Sequence, residues 1–140
     1  MRWMQAIRRA GLWMHLGLAV LVAIGVFAQV YLIGGYLFGA GGDALEAHRT
    51  VGFTVHFLEL LILVTALVAW LPRADLGLSL LMAALGTAQI ALANAERWAG
   101  ALHPLGALLV LVLAAVLIRR DLALRRRGEH ARSAVAEPAG

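Results

Sequence analysis

The sequence predicts an all-α fold: an integral membrane four-helix up-down bundle with the N- and C-termini on the cytoplasmic side. Three observations carry this. Of the 140 residues, 62% are hydrophobic and 14% charged, and a soluble domain of this size cannot bury that much apolar surface. The apolar residues form four long runs joined by three short connections, and such runs match the ~30 Å hydrocarbon core of a bilayer. Short connections make consecutive helices antiparallel neighbours. Finally, the N-terminus, the turn at Arg73 and the C-terminal segment hold ten of the twelve arginines, which places those parts on the cytoplasmic face.

The first apolar run follows Arg2, Arg8 and Arg9 and spans about 12–38. From Ala10 to Gly42 only His15 can carry a charge. A cleaved signal peptide is the competing reading. The run is too long for a signal core, and no small-residue cleavage site with a polar chain behind it follows. Gly17, Gly25, Gly34, Gly35 and Gly39 punctuate this run, and small residues let helices approach closely in lipid. Gly39 to Gly42 close the first helix and form a loop.

Asp43, with Glu46 three residues later, resembles a capping box and starts a second helix over about 44–71, with Pro72 behind it. Arg73-Ala74-Asp75 reads as a tight turn before a third helix over about 76–95. Asn94-Ala95-Glu96-Arg97 marks its far end. A fourth helix spans about 101–118 or longer, with Pro104 in its first turn, where helix N–H groups lack partners anyway. Its first basic extension continues the helix to about Arg127. Residues 1–127 thus form one transmembrane domain, and 128–140 reads as a disordered cytoplasmic tail ending SAVAEPAG.

Composition excludes several function classes. There is no cysteine, so disulfides, iron–sulfur clusters, thiolate metal sites and covalently attached haem are absent. The net charge of +4 is not a nucleic-acid signature, because the arginines flank apolar spans instead of forming a face. Every basic residue is arginine, with no lysine, a bias of GC-rich bacterial genomes. The expected location is therefore the bacterial inner (cytoplasmic) membrane, multi-pass.

The stretch Asp43–Glu59, DALEAHRTVGFTVHFLE, carries the chemistry. His48 lies early in the second helix and His103 at a similar depth early in the fourth, and both helices run inward from the outer side. Two imidazoles at matched depth on facing helices suit a haem iron, which takes one axial ligand from each side. His48 and His103 are the expected metal ligands. At ~100° per residue, Gly52, Val55 and Glu59 share the face of His48, and Gly106, Ala107, Val110 and Ala114 share that of His103. Gly52, Gly106 and Ala107 are small where a planar ring needs space. The competing reading makes both histidines interfacial residues bonded to neighbouring helices.

His56 is ~12 Å deeper than His48 and rotated by ~80°, with Glu59 within reach three residues on. An ionisable pair at mid-membrane is costly, so His56 and Glu59 are the candidates for chemistry beyond haem binding: a proton relay, a quinol contact or a propionate network, against a purely structural hydrogen bond. His15 is expected to be interfacial, and His130 in the tail carries little information. Gln29 and Gln89 each precede a loop and a histidine, so the chain reads as two weak repeats, Gln29 then His48 and Gln89 then His103.

The order Gln29, Leu32, Gly34, then His48-Arg49, then Gln89, then Leu102-His103 resembles one four-helix half of haem A synthase, over most of Val20–Ile118. It is also similar to small bacterial four-helix membrane proteins with the same half-module pattern. The resemblance implies a b-type haem held by His48 and His103, with Arg49 meeting a haem propionate and Arg97 able to do the same, as guanidinium–carboxylate pairing favours. Gln29, Gln89, Gly52, Gly106 and Ala107 complete the expected cofactor-binding set. This chain departs from the family in having one half. Glu46 also stands two residues before His48, off the phase of the catalytic family Glu, and the family's extracellular cysteine pair is absent. Oxidation of a haem methyl group is therefore poorly supported, whereas haem binding survives.

The expected function is a bis-histidine haem b protein for electron transfer or haem handling, in contact with the lipid bilayer. Possible further partners are a quinone, a respiratory complex or a second copy in a homodimer. The alternatives are a minimal haem-dependent membrane oxidoreductase, quinol- or oxygen-linked, and a non-haem interaction or accessory subunit.

Overall fold

A computed structural model describes residues 2–95 and 97–136, the side chains of 2, 97 and 131–136 excepted. Four helices follow one another: α1 (Arg2–Leu37), α2 (Gly42–Val68), α3 (Arg73–Ala93) and α4 (Arg97–Ala136). Each contains a stretch long and apolar enough to cross a membrane. Close backbone approaches join α1 to α2, α2 to α3, α3 to α4 and α4 back to α1, whereas α1 with α3 and α2 with α4 make none among the described residues. This is the expected up-down bundle, with α2 and α4 on one diagonal.

The bundle is apolar outside and polar at selected depths inside. Ile24, Phe27, Val30, Leu81, Leu108, Leu109 and Val112 are exposed, while His15, Glu59, Asp75, Ser79 and Asp121 are buried. Water would penalise that exterior, whereas lipid does not. Between the polar layers Ala19, Val22, Val26, Val55, Ile62, Met82, Val110, Ala114 and Leu117 form the core.

Several boundaries differ from those the sequence predicts. α1 begins at Arg2 and not near residue 12, and α4 runs from Arg97 to Ala136. Each therefore exceeds the ~45 Å that 30 helical residues span, so hydropathy registers only their apolar middle. The spacing of Val110, Ala114, Leu117 and Asp121, all buried, is one helical stripe, and it carries α4 past its arginines. Beyond residue 128, where the sequence suggests a disordered tail, the helix continues through an Arg125–Glu129 pair (3.7 Å), an i,i+4 arrangement that supports helix. Pro104 consequently lies inside α4, where its missing N–H leaves the Gly100 carbonyl outside the i→i−4 ladder.

The turns also differ. α2 starts at Gly42 with Gly41 as its cap and no side-chain capping bond, so Asp43 and Glu46 form no capping box; Asp43 sits in the first turn, where the helix dipole favours it. Arg73-Ala74-Asp75 is not a turn. Pro72, at φ −53, caps α3, which begins at Arg73. α1 and α2 end alike. Ala40 N–H donates to Gly35 O and Leu71 N–H to Ala66 O, the closing bond of a Schellman motif. The left-handed residue is Gly39 (φ 92) in one and Trp70 (φ 47) in the other.

Candidate functional site

Near the end of the bundle that holds the α1–α2 and α3–α4 connections, α2 and α4 bring their histidines together across the diagonal. The rings of His48 and His103 have centroids 6.3 Å apart and planes at 75°. Each ring is held identically. His48 Nδ1–H donates to the backbone carbonyl of Gln29 (3.0 Å) and the Gln29 side-chain amide donates back to the His48 carbonyl (2.6 Å). His103 Nδ1–H donates to the Gln89 carbonyl (3.1 Å) and the Gln89 amide donates to the His103 carbonyl (2.8 Å). The two repeats suggested by the sequence are thus two copies of one side-chain device, Gln on one helix and His on the next.

The proton bookkeeping is decisive for the chemistry. A carbonyl oxygen only accepts, so each Nδ1 carries hydrogen, and in a neutral imidazole Nε2 then keeps its lone pair. Neither Nε2 has a hydrogen-bond partner among the described residues. Two imidazoles oriented through Nδ1–H to backbone carbonyls, with Nε2 unpartnered among the described residues, have the outer-shell support typical of metal-bound histidine.

The neighbouring small residues lie against the glutamines. A Cβ at Gly52 would lie in ordinary contact with the Gln29 amide, at 3.4 Å, whereas one at Gly106 would come within 2.5 Å of Gln89 Oε1. Gly106 thus admits Gln89, and the glutamines act on the histidines. Ala107 is half-buried. Gln89 Oε1 is buried with no partner, an acceptor whose desolvation is uncompensated. Arg49 is exposed and forms no ion pair among the described residues. The side chain of Arg97 lies outside the described set.

Deeper along α2, His56 Nδ1 and Glu59 Oε2 are 3.2 Å apart, with Glu59 2% exposed. The carboxylate is pressed against the backbone of α3 at Gly86. A Cβ there would overlap Glu59 Oε2 and come within 2.7 Å of His56 Nδ1. Glu59 therefore does not share a site with His48, as the helical-wheel reading allows, but faces α3.

At the other end, where the chain termini and the α2–α3 turn lie, is a polar cluster the sequence reading misses. His15 is fully buried, not interfacial. Its Nδ1 lies 2.7 Å from Asp121 Oδ2 and its Nε2 3.0 Å from Ser79 Oγ. The Ser79 hydroxyl donates to the Asp75 carbonyl (2.8 Å), and Asp75 is gripped by Arg120 through Nε and through Nη2 (3.2 Å). The order Ser–His–Asp mimics a hydrolase triad but is oppositely polarised. The Ser79 proton is committed to a carbonyl, so its oxygen accepts from His15 Nε2–H, and no base is left to activate it. All three side chains are also sealed from solvent. The cluster ties α1, α3 and α4 together, and Arg125 stacked 3.3 Å over the Trp13 ring adds a second tie between α1 and α4. The available signal was Asp121 falling on the α4 stripe below Leu117.

No protein-family model, curated protein or solved structure matches this chain.

Proposed function

We propose that the chain is a haem b-binding membrane protein in which His48 and His103 supply the two axial imidazoles, working in electron transfer or haem handling. The observation that carries this reading is the facing histidine pair, each ring anchored by Nδ1–H with Nε2 left free. The two rings face one another with centroids 6.3 Å apart, and each would offer the Nε2 lone pair to the iron.

Haem so ligated supplies one-electron transfer, since two occupied axial positions leave oxygen no place to bind without displacing a ligand. The protein's own residues set the ligand tautomers through Gln29 and Gln89, and an apolar exterior keeps the site in lipid. Arg49 and Arg97 flank the histidines in sequence and are suited to the propionates. The half-module resemblance to haem A synthase and a bacterial inner-membrane location belong to the same reading, as do a quinone, a respiratory complex or a second copy as electron partner.

Purification after expression with sufficient haem tests it. A Soret band with a low-spin reduced spectrum is expected, converted to a five-coordinate or haem-free form by His48→Ala and by His103→Ala. A colourless wild-type protein, or an unchanged spectrum in either variant, refutes it.

A further inference from the structure

We propose that Glu59, together with His56, is a proton-accepting site that takes up one proton when haem held by His48 and His103 is reduced. The inference rests on the haem reading above and adds a second function to the bundle.

Among the described residues three carboxylates are buried, Glu59, Asp75 and Asp121. Asp75 is neutralised by Arg120, whereas Asp121 and Glu59 each pair with a histidine, His15 and His56. Asp121 lies at the other end of the bundle, eighteen residues or about 27 Å along α4 from His103, so the Glu59–His56 pair is the nearer to the facing histidines, and it includes no arginine among the described residues. The pair therefore carries no net charge while it holds one shared proton and a full negative charge once it loses that proton. In a lipid-embedded interior a lone negative charge is expensive, so the occupancy of that proton responds to any charge added nearby.

The slot is built for this carboxyl group. At Gly86 α3 lets the Glu59 oxygen reach its backbone, and a methyl group there would displace it. Gly86 also lies three residues, one helical turn, from Gln89, whose backbone and side chain hold His103. On α2, His56 and Glu59 lie eight and eleven residues from His48, about 12 and 16 Å along the axis. At that range in a medium of low dielectric, an added electron is felt strongly. The side chain of His56 is 16% exposed against 3% for Glu59, so the imidazole is the less enclosed member of the pair.

Among the described residues no other buried ionisable group lies as near the facing histidines. α3 presents Gly86, with no side chain, to the pair. Its one buried acid, Asp75, is committed to Arg120 at the far end. The buried ionisable groups of α1 and α4, His15 and Asp121, are committed to each other. The step balances simply: one electron from an external one-electron donor enters the haem, one proton from water joins the Glu59–His56 pair, and the only bond formed is to that proton.

Redox titration of the haem-loaded protein across the neutral range tests this. The midpoint potential is expected to fall by about 59 mV per pH unit, the value for one proton per electron. The slope should be lost in Glu59→Gln and retained in Asp121→Asn. The redox-difference infrared spectrum supplies a readout that does not depend on how well a variant folds. A protonated-carboxyl band should appear on reduction of the wild type, shift in D2O, and change position in Glu59→Asp. A pH-independent midpoint, a slope that survives Glu59→Gln, or a difference spectrum without a carboxyl band overturns the proposal while leaving the haem reading intact. Failure of the wild type to bind haem overturns both.

Discussion

Replacing Gly86 with alanine isolates the contact on which the interior of α2 and α3 depends. The new Cβ would overlap Glu59 Oε2 and approach His56 Nδ1 to 2.7 Å, so the carboxyl group must leave its slot. Overpacking of a closed interior costs about 1–3 kcal/mol, and the lost hydrogen bond to His56 adds about 1.5–3 kcal/mol, the range for charged partners. Against this, alanine in place of glycine gains up to about 1 kcal/mol of helix propensity. The net expectation is a loss of about 3 kcal/mol. In a background carrying both Glu59→Ala and His56→Ala the obstruction is gone, so the same substitution should be neutral or stabilising by up to about 1 kcal/mol. The sign change is the prediction. Equilibrium unfolding of the four members of this mutant cycle in mixed detergent micelles, followed by far-UV circular dichroism, measures it. Equal effects of Gly86→Ala in both backgrounds, within about 0.5 kcal/mol, would refute the claim that the glycine exists to admit the carboxyl group.

Two further outcomes can be measured the same way. His15→Ala leaves Asp121 buried without its partner and is expected to cost about 3–5 kcal/mol, as removal of one member of a buried pair does. Asp121→Asn, which keeps a hydrogen-bonding oxygen for the ring, should cost distinctly less, and comparable losses would show that the charge, and not the hydrogen bond, carries the pairing. At the helix ends, Gly39→Ala should destabilise and Trp70→Gly stabilise, each by about 1 kcal/mol, because only glycine occupies the left-handed region without steric cost. Opposite signs at these two positions are the result to check.

Much of the architecture is legible in the residues. Four apolar runs with short connections leave few arrangements, and the bundle order follows from loop length alone. The paired use of glutamine and histidine is also visible, since Gln29 and His48 repeat as Gln89 and His103. What the helical wheel does not show is which side chains lie against the small residues. Gly52 and Gly106 lie on the faces of the histidines, and a wheel counts a face without knowing what fills it. In the bundle the space belongs to glutamine side chains from the neighbouring helix. Likewise, Glu59 shares a wheel face with His48, yet helix packing turns it toward Gly86.

The sequence alone determines that this chain has four helices able to cross a membrane, with histidines early in the second and fourth, because hydropathy and helical period are local properties. Tertiary structure alone decides which polar groups meet. The partnership of His15 with Asp121 links residues 106 positions apart, and His48 meets His103 only because α2 and α4 lie on one diagonal. In an apolar bundle a buried polar group is costly unless it finds a partner. Which partner it finds depends on the relative rotation and depth of helices, and no single helix encodes that.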